Sequence, residues 1–177
     1  ILLRLREFGI KLNPKKCEFF KEKVKFVGHI VSAEGIAADP AKTEQIVNWP
    51  TPKNAEELRR FLGFAGYYRK FVKDFSQIAR PLNDLLPPTV KKKGPKGKKS
   101  EPRLPWQWGT RQQTAFDTLK DRLTSPPILG YPDYCKPSEL HTDASASGLG
   151  AVLYQEQEGI KHVVAYASRG LNKAERN

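Results

Sequence analysis

The 177 residues carry 31 lysines and arginines against 19 aspartates and glutamates, a formal charge of +12. That excess calls for a polyanionic partner, either nucleic acid or an anionic membrane surface. Hydrophobic residues make up 38 %, enough for one or two modest cores but not for a large enzyme. No apolar run approaches the roughly 18 residues of a membrane span and no secretory signal opens the chain, so nucleic acid is the favoured partner and no membrane is expected.

The two cysteines, Cys17 and Cys135, lie far apart with no Cys-x-x-Cys pair. Buried free thiols in a reducing compartment are the expectation. The chain contains no methionine, so Ile1 is not expected to be a natural start, and the sequence reads as a piece of a longer protein.

Ile1 to Phe8 reads as the tail of a helix, with Gly9 a suitable residue to end it. After LNPKKCEFF comes KVKFVGHIVSAEGI. Val24, Phe26 and Gly28 alternate with Lys25, Val27 and His29, the period of a strand, and residues 32–35 supply a turn into a returning strand near Ile36. The plain reading is a hairpin over a core. His29 has no second ligand nearby in sequence and is expected at the hairpin surface. Asp39-Pro40 opens a helix, as cap and first-turn proline, that runs to about Asn48 before Pro50 and Pro52 forbid continuation. Ile46 and Trp49 are expected to pack on the helix that follows.

That helix is predicted over Asn54 to Phe75, NAEELRRFLGFAGYYRKFVKDF. Asn54 and Glu57 have the spacing of a reciprocal cap. Leu58, Phe61, Leu62, Ala65, Tyr68 and Val72 recur at three- and four-residue steps and give one apolar face. Arg59, Gly63, Tyr67 and Lys70 fall on the other side. At about 1.5 Å per residue they cover roughly 16 Å of axis, or about five base steps at roughly 3.4 Å per step. A glycine within this face costs about 1 kcal/mol against alanine. Gly63 and Gly66 therefore serve either close packing of another helix or close approach of a sugar–phosphate backbone.

Leu82, Leu85 and Leu86 form a third short amphipathic segment, starting near Pro81. From Pro87 to Pro105 lysine, proline and glycine dominate, the composition of a flexible basic linker. It also matches a nuclear-localisation pattern, though loose contact with phosphate is the reading preferred here. Order resumes at Trp106. Thr110 and Gln113 have capping-box spacing, Phe116, Leu119 and Leu123 make an apolar face, and Ser125-Pro126-Pro127 ends the helix. Trp106 and Trp108 read as packing anchors rather than base-stacking platforms.

The stretch ELHTDASASGLGAVLYQEQEGIKHVVAYASRGL reads as three strands turned at residues 146–148 and 156–159. Asp143, near the end of the first, can simply cap the turn. An aspartic protease would need Thr or Ser and then Gly after it, which Asp143-Ala144-Ser145 lacks. A metal-dependent nuclease would need several carboxylates around paired Mg²⁺ ions about 3.5–4 Å apart. The polar run Ser138–His141 suggests an edge position or some decay of the strand.

LRRFLGFAGYYRKFVKDFSQIARPL resembles the thumb of reverse transcriptases from gypsy-type long-terminal-repeat retrotransposons, and the likeness extends in order along nearly the whole chain. KFVGHIVS resembles the hairpin that grips the primer 3′ end, WQWGTRQQTAFDTLKDRLTSPPILGYPD the connection, and TDASASGLGAVLYQ the first ribonuclease H hairpin. The resemblance implies an α+β fold: residues 1–38 as the end of a palm with a primer-grip-like hairpin, 39–86 as a helical thumb, 87–105 as linker, and 106–177 as connection and start of a ribonuclease H-like mixed sheet.

By the same resemblance Phe26, Val27 and Gly28 support the primer end, and Arg59, Gly63, Tyr67 and Lys70 line a duplex template–primer, DNA or RNA–DNA hybrid. Asp143 would be the first carboxylate for Mg²⁺ or Mn²⁺. Its partner carboxylates, and the paired aspartates of a polymerase centre, are expected outside these residues, and Glu175 does not match the catalytic position. Retroviral relatives keep an inactive version of this domain as a connection. The implied function is therefore part of a retrotransposon reverse transcriptase/ribonuclease H, acting with the remainder of a polyprotein in a cytoplasmic virus-like particle or the nucleus. This piece is expected to bind template–primer, to hold no tight cofactor and to be inactive alone. The alternative is a non-catalytic nucleic-acid-binding relic or domesticated module.

Overall fold

The computed structural model describes residues 1–87, 106–172 and 174–176, so residues 88–105 of the expected linker lie outside the described residues. Helix α1 spans Leu2–Glu7. Gly9 ends it at φ +65°, with the Gly9 and Ile10 amides donating to Arg6 and Leu5 carbonyls, the left-handed termination glycine makes easy.

Strands β1 (Lys23–Phe26), β2 (His29–Ser32) and β3 (Gly35–Ala38) form an antiparallel meander. The expected single strand across 24–29 is broken. Phe26 pairs with His29, which leaves Val27-Gly28 as a two-residue turn with φ +45° and +73°. Positive φ at both positions is the mark of a type I′ turn, and valine is a poor occupant of that conformation, so the turn carries little signal in sequence.

Helix α2 (Pro40–Val47) starts as expected, with Asp39 Oδ1 accepting from the Ala41 amide at 3.1 Å. Helix α3 (Ala55–Tyr67) is capped by Asn54, whose Oδ1 accepts from the Glu56 and Glu57 amides at 3.1 and 2.9 Å. The reciprocal arm reaches one residue further back than a standard capping box: Glu57 Oε2 accepts from the Lys53 amide at 2.8 Å.

The expected helix to Phe75 stops at Tyr67. A 3₁₀ turn, Arg69–Phe71, follows, then extended Val72 and left-handed Asp74 at φ +57°. Helix α4 (Phe75–Asn83) begins six residues before Pro81 and contains it. A proline in the last turn loses one intrahelical bond but does not prevent the helix.

Helix α5 (Thr110–Thr124) has Gly109 as N-cap, one residue earlier than the Thr110/Gln113 spacing predicts. Gln112 Oε1 accepts from the Gly109 amide at 3.2 Å, while Gln113 Oε1 accepts from Trp108 Nε1 at 2.8 Å. Trp106 and Trp108 stack at 5.8 Å and Trp108 meets Phe116 edge-on at 5.9 Å; both tryptophans pack against the core.

One apolar core joins these helices. Ile46, Leu58, Phe61, Leu82, Phe116, Leu119 and Leu123 are all at most 1 % exposed. Phe61 and Phe116 lie 4.6 Å apart, so α5 packs with α3 as well as with α2 and α4. After α5 the chain returns to β3: Ile36 and Leu129 exchange backbone hydrogen bonds at 2.8 and 2.9 Å. The approach is close enough that a Cβ on Gly35 would stand 2.2 Å from the Leu129 carbonyl.

Strands β4 (Glu139–Ser145), β5 (Gly148–Gln157) and β6 (Ile160–Gly170) form a second antiparallel meander, with β4 at one edge and exposed along its length. A bulge interrupts the β5–β6 register at Leu153/Tyr154. Buried Gln155 staples the preceding loop to the sheet, its Oε1 accepting from the Asp133 amide at 2.7 Å and its Nε2 donating to the Asp133 and Lys136 carbonyls at 2.9 and 3.2 Å. The sheet meets the helices through β6 on α4.

Candidate nucleic-acid interface and the Asp143 cleft

The β1–β2 turn meets the C-terminal end of α3. Tyr67 Oη donates to the Val27 carbonyl, and Tyr68 Oη donates to the Gly28 carbonyl at 3.1 Å. The Asp39 amide also ends on Gly28 O at 3.1 Å. The turn tip itself faces out, with Phe26 67 % and Val27 65 % exposed. Burial raises the Tyr68 phenol above its ordinary value, with smaller contributions from Tyr67 and Asp39. Asp39 also pairs with Lys25 Nζ at 3.3 Å.

His29 is half-buried rather than fully at the hairpin surface. Its ring centroid lies 5.4–5.7 Å from those of Tyr67, Tyr68 and Phe71. Nδ1 faces the Val27 carbonyl at 2.8 Å, while Nε2 is buried without a partner among the described residues. The turn at 27–28 brings the start of β2 against the end of α3, which draws the ring in among those aromatics.

Arg59, Gly63 and Tyr67 follow one another at four-residue steps and share a face of α3. All three are exposed. Nothing lies within 4 Å of a Cβ added at Gly63 or at Gly66, so within the described residues no helix packs there. Lys70 belongs to the 3₁₀ turn after α3 rather than to the helix. It is half-buried with Nζ 5.1 Å from the centroid of the Phe71 ring, and burial holds its pKa below the ordinary lysine value. The structure thus brings Phe26, Val27, Gly28 and Tyr67 together, extends their surface along α3 through Gly63 to Arg59, and sets Lys70 beside the helix end. A groove of about 300 Å³ runs along this junction, lined by Val27, Gly28, Lys42, Phe64, Tyr67 and Tyr68. Lys42, Phe64 and Tyr68 are the members sequence reasoning missed; their only signal was proximity to the proline cap, to Gly63 and to Tyr67.

Asp143 lies elsewhere, on edge strand β4 opposite Gly150. It borders a cleft of about 540 Å³ that also involves Arg69, Leu149, Gly150, Ser168 and Arg169. Arg69 donates to the Ser168 carbonyl. The Ser76 amide donates to Ser168 Oγ at 2.8 Å, which ties the start of α4 to β6 beside the cleft. Glu175 is engaged in a two-point pair with Arg169 at 2.8 and 3.0 Å. That guanidinium and the Asn172 amide hold its carboxyl below the ordinary range. Among the described residues no group of three or more His, Cys, Asp or Glu converges. Among the described residues Asp143 by itself does not complete a divalent-metal centre, which needs several oxygen ligands.

The cysteines differ from expectation: Cys135 is exposed and Cys17 only partly covered. Among the described residues, no helix is long and apolar enough to cross a membrane.

Residues 108–177 match the family described as an RNase H-like domain found in reverse transcriptase. The chain is 41 % identical over 181 residues to the retrovirus-related Pol polyprotein from transposon gypsy of Drosophila melanogaster, covering 100 % of this chain and 16 % of that protein. It is 39 % identical over 174 residues to the corresponding polyprotein from transposon 412 of the same organism, covering 98 % and 13 %. A Tf2-3 transposon polyprotein of Schizosaccharomyces pombe is 36 % identical over 178 residues, with 100 % and 12 % covered. The chain therefore spans well under a fifth of the length of these relatives.

Its fold is shared with the foamy viral protease–reverse transcriptase. In that enzyme's complex with dsDNA the match has a TM-score of 0.70 at 23 % identity, covering 92 % of this chain and 31 % of that one. In its complex with RNA/DNA hybrid the TM-score is 0.69 at 22 % identity, covering 92 % and 20 %. This chain belongs with the Pol polyproteins of gypsy-type and Tf2 transposons, and its C-terminal portion is the RNase H-like domain of their reverse transcriptase region.

Proposed function

We propose that this chain binds the template–primer duplex for a retrotransposon reverse transcriptase/ribonuclease H, with the β1–β2 turn at the primer 3′ end and the Arg59–Gly63–Tyr67 face along the duplex. The observation that carries the reading is the junction of an outward-facing turn with a helix face that is open among the described residues, on a chain of charge +12. An open glycine lets a sugar–phosphate backbone come near the helix, the arginine offers charge-assisted bonds to phosphate, and the half-exposed Tyr67 ring gives an apolar surface. The foamy viral relative of this fold is a complex with dsDNA in one structure and with RNA/DNA hybrid in another. Lys70, desolvated beside Phe71, supports the end of that face.

On this reading residues 1–38 end a palm, 39–86 form the thumb, and 106–177 make the connection and the opening of the ribonuclease H-like domain, with α5 bound into the thumb core. RNA-directed DNA synthesis and cleavage of RNA in hybrids are activities of the whole polyprotein, in a virus-like particle or the nucleus. Asp143 is the carboxylate this reading assigns to Mg²⁺ or Mn²⁺, with its other ligands outside the described residues.

The test is binding of labelled RNA–DNA hybrid and duplex DNA by the 177-residue chain across a salt series. Affinity should fall steeply with salt, by roughly 0.9 in log K per unit log salt for each phosphate neutralised on duplex DNA, and the chain should neither extend a primer nor cut the hybrid. Magnesium-dependent cleavage by this chain alone would contradict the assignment. So would the absence of any hybrid affinity.

A further inference from the structure

We infer that the phenol hydroxyls of Tyr67 and Tyr68 are positioning groups: they hold the Val27–Gly28 turn in its left-handed conformation, so that α3 sets the pose of the hairpin tip. What the tip presents itself to rests on the function proposed above; the clamp does not.

The sequence makes such a clamp necessary. A two-residue turn with positive φ at both positions forms readily from Asn-Gly, because neither residue resists that conformation. Val-Gly does not: Val27 sits at φ +45°, where a β-branched side chain is disfavoured. Such a residue persists only when its surroundings over-determine it.

Here they do so through both turn carbonyls. Val27 O accepts from Tyr67 Oη and faces His29 Nδ1 at 2.8 Å. Gly28 O accepts from Tyr68 Oη and from the Asp39 amide, each at 3.1 Å. The fit leaves no slack, since a Cβ on Gly28 would stand 2.9 Å from Tyr68 Oη. Two adjacent aromatic residues at the last turn of α3 thus fix two adjacent carbonyls, forty positions earlier in the chain. Tyr67 has two separable parts. Its hydroxyl donates to the turn, while the residue as a whole remains 48 % exposed. A tyrosine acting only as a duplex contact would not need the hydroxyl.

Tyr67→Phe and Tyr68→Phe remove the hydroxyls and keep the rings. In the 177-residue chain without nucleic acid, each should speed amide exchange at Asp39 and His29 by roughly 3- to 10-fold, the scale of one lost hydrogen bond. In a Val27→Asn background, whose Asn-Gly turn forms without help, the same substitutions should change exchange by less than about twofold. A second readout compares affinity for an RNA–DNA hybrid with a recessed 3′ end against a blunt hybrid of equal length. Tyr67→Phe should lower that ratio, and Val27→Asn should diminish the loss. Unchanged exchange in both phenylalanine variants overturns the clamp, as does an equal effect in the two backgrounds. If exchange responds as expected but the wild-type chain binds neither hybrid, the clamp stands and the proposed occupant of the tip falls.

Discussion

Gly63 offers a perturbation in which stability and binding should move in opposite directions. It lies inside α3, exposed, with nothing among the described residues within 4 Å of an added Cβ. Alanine there gains up to about 1 kcal/mol of helix stability, because glycine gives up more backbone freedom on folding. For a chain of this size that corresponds to a rise of about 2–4 °C in Tm. Valine gains less, since branching at Cβ restricts its rotamers in a helix, but the open space imposes no clash.

A phosphate backbone lying on this face would meet the added atoms. Gly63→Val should then weaken hybrid binding by about 10-fold, or roughly 1.4 kcal/mol, with Gly63→Ala between valine and wild type. The assays are thermal unfolding and fluorescence anisotropy with a labelled hybrid at one fixed salt concentration. Wild-type affinity in Gly63→Val would refute the use of this face. A lower Tm in Gly63→Ala would show that something packs there after all.

Other consequences are accessible to the same methods. Arg59→Ala should weaken binding to duplex DNA and reduce the magnitude of the salt slope by about 0.9, the share of one phosphate; an unchanged slope removes Arg59 from the interface. Phe61→Ala and Phe116→Ala should each cost about 3–5 kcal/mol in urea unfolding, and the double variant should be non-additive because the rings touch at 4.6 Å. Strict additivity, or two separate transitions, would contradict a shared core.

Glu57 provides a pH test. The Lys53 amide above all, helped by the Asn54 side chain and nearby Arg60 and Lys53 charges, holds its carboxyl below the ordinary 4.5 against the opposing effect of desolvation. A depressed carboxyl stabilises fully above its unfolded value and loses that contribution as pH falls through the folded one. The stability gap between wild type and Glu57→Ala should therefore be wider at pH 7 than at pH 3, measured by urea midpoints. An equal gap at both values would refute the charge-dependent part of the cap.

What could be read from the sequence was mostly local. Asp39-Pro40 and Asn54 announce α2 and α3 because capping chemistry needs only neighbours. The apolar face of α3 is buried as its spacing predicts, through Leu58, Phe61, Ala65 and Tyr68. Periodicity misled where it outlasted the helix. Phe71, Val72 and Phe75 continue the apolar rhythm and are buried, yet the backbone turns at Tyr68 and Asp74, a break with no glycine or proline to mark it.

The Val27-Gly28 turn was hidden for the opposite reason: its conformation is imposed by tertiary bonds from Tyr67 and Tyr68, not by its own residues. Likewise, no local pattern indicates that α5 shares a core with α3, or that Leu129 bridges back to Ile36. At the candidate interface the residue types were legible, but their assembly across forty positions was not. Asp143 was legible as a carboxylate near the end of a strand, whereas Arg69 and Ser168 beside it come from distant elements.

The most direct measurement places a photoreactive nucleotide at the primer 3′ terminus of an RNA–DNA hybrid and maps the crosslinked residue in the 177-residue chain. Crosslinks at Phe26 or Val27, competed by unlabelled hybrid and shifting onto the Gly63–Tyr67 face when the label moves into the duplex, are the predicted result. Crosslinks confined to β4–β6, or unchanged as the label moves, would contradict the assignment.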